Sequence, residues 1–342
     1  MLAKVAVSAA LFRKDISDGH WAVRERHRRI TELLFRHAQI VCTGADEIRR
    51  LREHSSRLPR LVRPYWDPIL FGDPHHFLVT PPPVGQKYAT EISSRAMLRA
   101  WKNSVDVLVT SDTDAEHLGL NPHAALVKDE ISGIEICRPT GLAESRLRTY
   151  VEMNGAEMAP SMDRDALWLN FIEPLYRPAR QIVLIDRYAG NYIAQAEWLW
   201  KRMAEVPPPG DTGRTLTIFS GRPNGWKGNS RDVEWSNLKI PNGVKWTRGI
   251  AQARICWIPR RRWRRLTSSG AEVRLHDRHF RFDKRTLSLS SGFEWVAKLG
   301  PMECRLTYEC KGDPLGPGFA RLDRKEAWLR AVVAATPRVS SP

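Results

Sequence analysis

The sequence predicts two α/β domains, and three observations support this fold class. The chain has 342 residues, which is long for one ordinary compact domain and comfortable for two. Hydrophobic residues make up 42% of the chain, enough for each domain to bury a core. Short apolar runs alternate with amphipathic helical patterns, as they do in layers built around a parallel sheet. We therefore expect an N-terminal domain over residues 1–150 and a C-terminal domain over residues 160–336.

In the N-terminal domain the predicted strands and helices alternate along the chain. Strands are predicted at four short apolar runs, residues 4–9, 39–42, 105–110 and 134–138. Helices are predicted between and after them, at residues 24–38, 91–102 and 112–120. Thr43 is expected to cap a further helix that carries Glu47 in its first turn. The prolines between residues 58 and 85 predict an irregular segment.

The C-terminal domain follows a segment rich in Met, Gly and Pro at residues 151–162, which predicts the domain boundary. Its strands are expected at residues 181–186, 216–220, 254–258, 272–275, 281–282 and 286–289. Its helices are expected at residues 164–176, 189–204 and 326–335. A Pro- and Gly-rich loop is expected at residues 207–213.

Charge gives the first indication of a partner. Lys and Arg number 54 against 38 Asp and Glu, a net charge of +16. Residues 201–285 alone carry 20 basic and 7 acidic side chains, so 20 − 7 = +13 of this charge lies in one quarter of the chain. Such a field attracts polyanions, so DNA or RNA is the expected partner. An anionic membrane surface or an acidic partner subunit is the alternative.

Other features of the composition favour a cytoplasmic protein. No stretch approaches the roughly 20 apolar residues that cross a bilayer, and the first residues are typical of a strand rather than a signal peptide. The 5 cysteines are scattered without paired spacing, which favours reduced thiols over a disulfide framework or a zinc site. No cofactor and no metal are predicted.

A dense basic run lies within the charged region. It consists of five arginines around one tryptophan: Arg260, Arg261, Arg262, Trp263, Arg264 and Arg265. Guanidinium groups neutralise phosphates and an indole stacks on a base, so the run is predicted to contact nucleic acid. Arg222 and Lys227, in a Gly-rich segment after a predicted strand, are expected to assist. The alternatives are a solvated charge run with Trp263 docked on its own domain, and a plain surface turn.

The constellation with the most chemical content is His276, Arg278 and Asp283, which has the spacing H-x-R-x4-D. Phe280 and Phe282 alternate within it and predict a core-facing strand. A strand that ends in Asp186 and is followed by Tyr188 precedes the motif in the chain. A small-residue turn that leads to Gly292 and Phe293 follows it. A hydrogen-bonded structural cluster of His, Asp and Arg is the alternative interpretation of this motif.

These features resemble the phospholipase D superfamily over residues 162–299. They are most similar to the C-terminal phospholipase-D-like domain of MIT-domain proteins and its bacterial relatives. The resemblance implies a phospholipase-D-like α/β sandwich in which His276 attacks phosphorus, Arg278 holds the phosphate oxygens and Asp283 or Asp277 fixes the imidazole. This chain has Arg278 where active members carry Lys, and it carries one motif rather than two. Catalysis would therefore require a homodimer that joins two copies of His276.

In the N-terminal domain, residues 107–114 resemble the strand and acidic turn of PIN-like nucleases, which gather carboxylates around Mg²⁺ or Mn²⁺. Asp112 and Asp114 would form one corner of such a site, with Asp46 or Glu47 at another. The usual Asp of the first strand is missing, and Asp112 is also a natural helix cap. A PIN-like or other α/β fold without an active metal site is therefore favoured, with a role in recognition or interaction.

Together these features predict a nucleic-acid-binding effector, a metal-independent nuclease in the catalytic interpretation. The resemblance to bacterial relatives implies an anti-phage or similar conflict system, with a larger defence complex as a further partner. Some members are thought to bind lipid or protein without hydrolysis. The alternative function is therefore a non-catalytic scaffold that binds DNA, anionic lipid or a protein partner.

Overall fold

A computed structural model describes the protein over the following residues: 2–13, 20–72, 76–154, 157–158, 163–208, 213–221, 232–234, 250–258, 278–298, 304–310 and 318–334. The chain is mixed α/β and divides into two compact units, Met1–Glu152 and Met153–Pro342.

The N-terminal unit is built on a sheet of order β3-β2-β1-β4-β6-β5. Its strands are β1 (Ala3–Val7), β2 (Ala38–Cys42), β3 (Phe77–Val79), β4 (Val107–Val109), β5 (Leu126–Lys128) and β6 (Glu135–Cys137). The first four and β6 run parallel, whereas β5 pairs antiparallel with β6. From the central β1 the chain proceeds to one side for β2 and β3 and to the other for β4 and β6. This reversal is the switch point of doubly wound α/β sheets.

Helices cover both faces of this sheet. They are α1 (His20–His37), α2 (Ala45–Ser56), α3 (Arg63–Asp67), α4 (Arg95–Ala100), α5 (Asp112–His117) and α6 (Arg146–Met153). One core joins Val5 and Val107 to residues of α1, α2 and α3. A second core joins Ala6 and Leu108 to residues of α4. Successive strand residues are buried on opposite faces, which explains why these strands are continuous apolar runs in the sequence.

The predicted order of strands and helices is confirmed in most of this unit. Two expectations are wrong. The Pro-rich stretch at 58–85 contains α3 and the edge strand β3. The helix α2 is capped by Gly44, which offers no side-chain hydrogen bond. Thr43 instead donates its backbone N–H and its hydroxyl to Oε2 of Glu47, at 2.7 and 3.0 Å. The short strand β5 was not predicted, because its three residues carry only half-buried or exposed side chains.

The C-terminal unit contains a sheet of order β10-β11-β9-β8-β12-β13-β14-β7. Its strands are β7 (Glu157–Met158), β8 (Gln181–Ile185), β9 (Arg214–Ser220), β10 (Asp232–Glu234), β11 (Ile250–Trp257), β12 (His279–Phe282), β13 (Arg285–Leu289) and β14 (Cys304–Cys310). The strands β8, β9 and β11 are parallel. The strands β12, β13, β14 and β7 continue the sheet antiparallel from β8, and β10 pairs antiparallel with β11.

Helices also lie on both faces of this sheet. They are α7 (Arg164–Leu167), α8 (Glu173–Tyr176), α9 (Glu197–Glu205), α10 (Phe293–Lys298) and α11 (Gly318–Ala334). On one face Phe219 packs with Leu329 of α11. On the other, the ring of Phe293 lies 6.0 Å from that of Phe280 and 5.5 Å from that of Trp200 on α9. The burial of Phe280 and Phe282 confirms the core face predicted for β12.

Several element boundaries in this unit differ from the sequence-based expectation. The helix expected at 189–204 begins at Glu197, after a 3-10 turn at Ala189–Asn191; Gly and Asn are poor helix formers, which explains the late start. A π-helical turn at Trp168–Ile172 separates α7 from α8. The helix α10 and the strand β14 were not predicted. The strand expected at 272–275 lies outside the described residues.

Candidate phosphate-binding site

The carboxyl ends of the parallel strands β8, β9 and β11 form one edge of the C-terminal sheet. Arg278, the first residue of the H-x-R-x4-D motif that the structure describes, lies beside this edge. Cys256, Phe219, Ile185 and His279 pair across the strands β11, β9, β8 and β12. The next row toward the edge contains Trp257, Ser220, Asp186 and Arg278. Ligands of open α/β sheets bind at such carboxyl ends.

Asp186 organises this edge. It follows β8 and is 2% exposed. Its Oδ1 accepts the backbone N–H of Tyr188 at 2.8 Å, and its Oδ2 accepts that of Phe293 at 2.6 Å. Burial raises the pKa of Asp186, although both N–H groups and the charges of Arg278 and Lys325 oppose that rise. The carboxylate therefore joins the end of β8 to the start of α10.

Arg278 lies against this carboxylate. Its Nε is 3.9 Å from Oδ1 of Asp186, and its side chain is 24% exposed. Its guanidinium carbon is 5.5 Å from the ring centroid of Tyr188, whose ring Arg187 also approaches at 5.3 Å. Within the part of the chain that the structure describes, the Arg278 guanidinium donates no hydrogen bond. Because a guanidinium has five N–H donors, it can hold an external anion here.

Two glycines permit the close packing of this edge. Gly292 has a φ of 75°, and a Cβ on it would lie 2.3 Å from Cδ of Arg278 and 2.6 Å from Oδ2 of Asp186. A Cβ on Gly190 would lie 2.6 Å from the ring of Trp257. The N–H of Gly190 donates to Oγ of Ser220 at 2.8 Å. Because Gly292 has no side chain, its backbone packs directly against Arg278 and fixes the position of Arg278.

The positive charge of the edge exceeds its negative charge. Lys325 of α11 is 3% exposed and its charge acts on Asp186. Arg278 and Arg187 add two further cations, and Glu294, which pairs with Lys298 at 2.9 Å, adds a second carboxylate near Arg278. Tyr188, 42% exposed, places an aromatic ring among these cations. Cations next to an accessible ring are a combination that suits phosphate contact and base stacking.

Most of the predicted site residues lie outside the described residues. They are His276 with its neighbour Asp277, the run Arg260, Arg261, Arg262, Trp263, Arg264 and Arg265, and the pair Arg222 and Lys227. The segments that contain them join the described chain at Gly221, Ile258 and Arg278. All three of these anchoring residues lie at the edge beside Asp186, since Ser220 and Trp257 belong to its row.

Asp283 is placed away from Arg278. It lies in the turn between β12 and β13 with a φ of 49°, five residues from Arg278, or about 16 Å along an extended strand. Its carboxylate accepts the backbone N–H groups of Arg180 and Gln181 at 2.9 and 2.7 Å. The structure therefore does not bring Asp283 to the edge that carries Arg278, and the contacts of Asp283 close a turn at the opposite end of β12.

Three of the four acidic residues proposed for a PIN-like corner, namely Asp46, Glu47 and Asp112, have partners in the N-terminal unit. Asp112 pairs with Arg138 at 3.1 Å, and Asp46 pairs with Arg49 and Tyr88. Glu47 is fully buried, and its Oε1 accepts the N–H of Thr90 at 2.7 Å. Among the described residues no three His, Cys, Asp or Glu side chains gather where they could hold a metal ion. These carboxylates act as ion-pair partners and caps.

Comparison of the chain with protein-family models, with curated proteins and with solved structures finds no match. No helix in the described part of the chain is long and apolar enough to cross a membrane. The functional interpretation therefore depends on the edge that carries Asp186 and Arg278.

Arg278 was identified as a site residue from the sequence. No chemical role was assigned from the sequence to three other residues of the site, Asp186, Gly292 and Lys325. Asp186 was noted as the end of a strand, and Gly292 as part of a turn that follows the motif. Their contact with Arg278 depends on the pairing of β8 with β12, which residues distant in sequence establish. Lys325, buried on α11, carried no sequence signal, because an isolated lysine in a helix is normally a solvated side chain.

Proposed function

We propose that the protein binds nucleic acid through the edge of its C-terminal sheet, with Arg278 holding a backbone phosphate. The observation that carries this proposal is the position of Arg278. Its side chain is fixed by Asp186 and Gly292, and its guanidinium keeps donors for an external acceptor. Two segments rich in basic residues, 222–231 and 259–277, join the described chain beside it at Gly221, Ile258 and Arg278, which supports a polyanion as the ligand.

The catalytic form of this proposal assigns cleavage of a phosphodiester to His276, two residues before Arg278. A neutral imidazole attacks phosphorus, an N–P bond forms, and the P–O bond to the leaving group breaks. A second group must give a proton to the leaving oxygen, and water must then hydrolyse the phosphohistidine. With one motif per chain, that second group is His276 of another copy. The donors of Arg278 would stabilise the charge on the phosphate oxygens.

The biological context, a bacterial anti-phage or similar conflict system, rests on the resemblance to the phospholipase D superfamily alone. The cytoplasmic location proposed for it rests on the scattered, unpaired cysteines of the sequence. The competing function is a non-catalytic scaffold that binds DNA, anionic lipid or a protein partner through the same edge. The presence of Arg278 in place of the catalytic Lys, and its contact with Asp186, favours that alternative. Both functions require an anion at Arg278, and they differ in the role of His276.

One set of measurements tests the proposal. Wild type, Arg278→Ala and the matched control Arg324→Ala, an exposed arginine of α11, are titrated with a fluorescent oligonucleotide. We expect Arg278→Ala to weaken binding by about tenfold, because it removes charge-assisted hydrogen bonds, and Arg324→Ala to leave it nearly unchanged. Equal affinity in all three proteins would remove Arg278 from the binding site.

Cleavage separates the two functions. In the catalytic form, wild type cleaves DNA or RNA in the presence of EDTA, and His276→Ala abolishes cleavage while it retains binding through the arginines. In the scaffold form, no cleavage occurs in any condition. A cleavage activity that EDTA removes would instead indicate a metal-dependent nuclease and would contradict the role assigned to His276.

A further inference from the structure

A second basic site lies on the sheet face that α11 partly covers. Arg254, Thr217, Val183 and Arg281 pair in one row across β11, β9, β8 and β12, and side chains paired in this way share a face. A polar pocket of about 310 Å³ lies between this row, the rows next to it and the side of α11. Pockets for small ligands begin at about this volume.

Among the described residues that line the pocket, Glu326 carries the one carboxylate, and two arginines neutralise it. Glu326 of α11 accepts Nε of Arg281 at 2.5 Å and its Nη2 at 2.7 Å. It also accepts Nε of Arg330 at 2.9 Å. Burial raises the pKa of Glu326, but the hydrogen bonds from both arginines outweigh burial and hold that pKa below its ordinary value. Glu326 is therefore ionised and offers no charge to a further cation.

Several other polar groups of the pocket are donors without a partner among the described residues. Arg254 is exposed, and its side chain makes no hydrogen bond or ion pair with any other described residue. Arg330 has a half-exposed side chain and directs Nε and Nη2 to Glu326, which leaves Nη1 for another acceptor. Thr215 and Thr217 line the same pocket, and their hydroxyls also make no hydrogen bond to any described residue. Among the residues that line the pocket, three arginines stand against one carboxylate, while Glu234 of β10 pairs with Arg254 from the neighbouring strand.

This pocket is separate from the edge that carries Arg278. Val183 lies three residues before Asp186 on the same strand, about 10 Å away. Between the two sites the face is closed by an apolar layer in which Ile185 and Phe219 pack with Leu329 of α11. The two sites can therefore be altered independently.

From this arrangement we propose that the pocket binds the phosphate of a nucleotide-sized ligand, held by Arg254 and Arg330 with the hydroxyls of Thr215 and Thr217. Two arginines with free donors match the oxygens of a phosphate, and hydroxyls donate to the same oxygens. The chemistry is shared by a free nucleotide and by one phosphate of a nucleic-acid strand. In either case the pocket is an anion site additional to Arg278.

The test measures binding by calorimetry with inorganic phosphate, adenosine monophosphate and oligothymidylate as probes. The pocket variant is Arg254→Ala with Arg330→Ala. Its matched control is Arg60→Ala with Arg324→Ala, two exposed arginines outside the pocket, so both variants lose the same charge. Arg278→Ala tests independence from the edge site. Arg254→Gln alone is a second pocket variant that disturbs no contact of the described chain, and unfolding midpoints verify the fold of each protein.

We expect the pocket variant to lose at least about tenfold in affinity for adenosine monophosphate, with the control variant unchanged. If only oligothymidylate binds, and the pocket variant weakens it beyond the control, the ligand is a strand phosphate. The proposal is overturned if none of the probes binds wild type, or if pocket and control variants bind every probe equally. If instead the edge at Arg278 does not bind nucleic acid, Arg278→Ala will bind oligothymidylate as tightly as wild type.

Discussion

The backbone N–H of Phe293 donates to Oδ2 of Asp186 at 2.6 Å, across 107 residues of sequence. This hydrogen bond attaches the start of α10 to the end of β8, and it holds Gly292 against Arg278. The candidate phosphate site is therefore supported by a buried carboxylate whose two oxygens each accept a backbone N–H group. Changes at Asp186 should affect both the stability of the fold and the position of Arg278.

Asp186→Asn is expected to destabilise the protein by about 1–3 kcal/mol, because the amide cannot accept both N–H groups and one of them is left unsatisfied. The burial that raises the pKa of Asp186 favours its protonated form in the folded state. A raised pKa in the folded state means that wild type loses stability as the pH rises above 3.8, the ordinary value, toward the folded pKa. The cost of Asp186→Asn should therefore be largest at low pH and should decrease as the pH rises.

Urea unfolding of wild type and Asp186→Asn from about pH 4 to pH 7 measures this trend. A cost that increases with pH would show that the carboxylate is favoured in the folded state, contrary to the burial argument.

Gly292→Ala is expected to cost about 1–3 kcal/mol, because it combines a left-handed backbone conformation with a collision. Its Cβ would lie 2.3 Å from Cδ of Arg278. Gly85 provides a matched control, since it has a φ of 78° and open space where the Cβ would lie. Gly85→Ala should therefore show the backbone cost alone. Unfolding midpoints and oligonucleotide affinities of both variants measure the difference, and identical losses would show that Arg278 moves aside without cost.

The elements that could be predicted are those with a local signal in the sequence. Strands of the N-terminal unit such as β1 and β4 were predictable, because burial on both faces makes them continuous apolar runs. The strand β3 was not predicted, because the prolines around it indicate an irregular segment. In the C-terminal unit the alternation of Phe280 and Phe282 predicted β12 and its core face. These signals are local, so a short stretch of sequence contains them.

The contacts of the site could not be predicted in the same way. The sequence places Asp283 in the same motif as Arg278, but β12 is an extended strand, and extension separates its two ends. Asp186 reaches Arg278 only because β8 pairs with β12 in a particular register. That register depends on packing over the whole sheet. Spacing within a motif therefore identified Arg278 and could not identify its carboxylate partner.

The pair Arg281 and Glu326 is expected to behave as a buried ion pair, in which the loss of one partner costs more than the loss of both. Their side chains are 11% and 7% exposed. Glu326→Leu should destabilise by about 3–5 kcal/mol, because it leaves Arg281 charged and unpaired, whereas Arg281→Met with Glu326→Leu should cost less. Arg281 lowers the pKa of Glu326 below its ordinary value of 4.5. The ion pair therefore stabilises the fold above about pH 4.5, and this stabilisation is lost as the pH falls through the pKa of Glu326 in the folded protein. A double-mutant cycle by urea unfolding measures the coupling, and additive losses would contradict it.

Arg214→Lys is expected to destabilise the C-terminal unit by about 2–4 kcal/mol, since a compact ammonium cannot reproduce the fork of a guanidinium. Arg214 is fully buried and donates to four carbonyl oxygens at 2.8–3.0 Å, those of Arg177, Ala179, Val206 and Pro207. Its guanidinium carbon also lies 4.2 Å from the ring centroid of Tyr176. Arg180→Lys, at an exposed position nearby, should change stability little. Equal unfolding midpoints for both variants would show that the carbonyls find other donors.

Nucleic-acid binding is expected to weaken steeply with salt, because each phosphate that an arginine or lysine neutralises releases a counterion. The run Arg260, Arg261, Arg262, Arg264 and Arg265 and the edge residue Arg278 should contribute separately to this slope. Replacing the five arginines of the run by Ala should reduce the slope of log affinity against log salt by up to about 4–5 for a duplex. Arg278→Ala should reduce it by about 1. Fluorescence titrations between low and moderate salt measure both slopes, with unfolding midpoints as the control for the fold. If the five-fold variant keeps the wild-type slope, the run does not contact phosphate, and the positive charge of residues 201–285 must serve another partner.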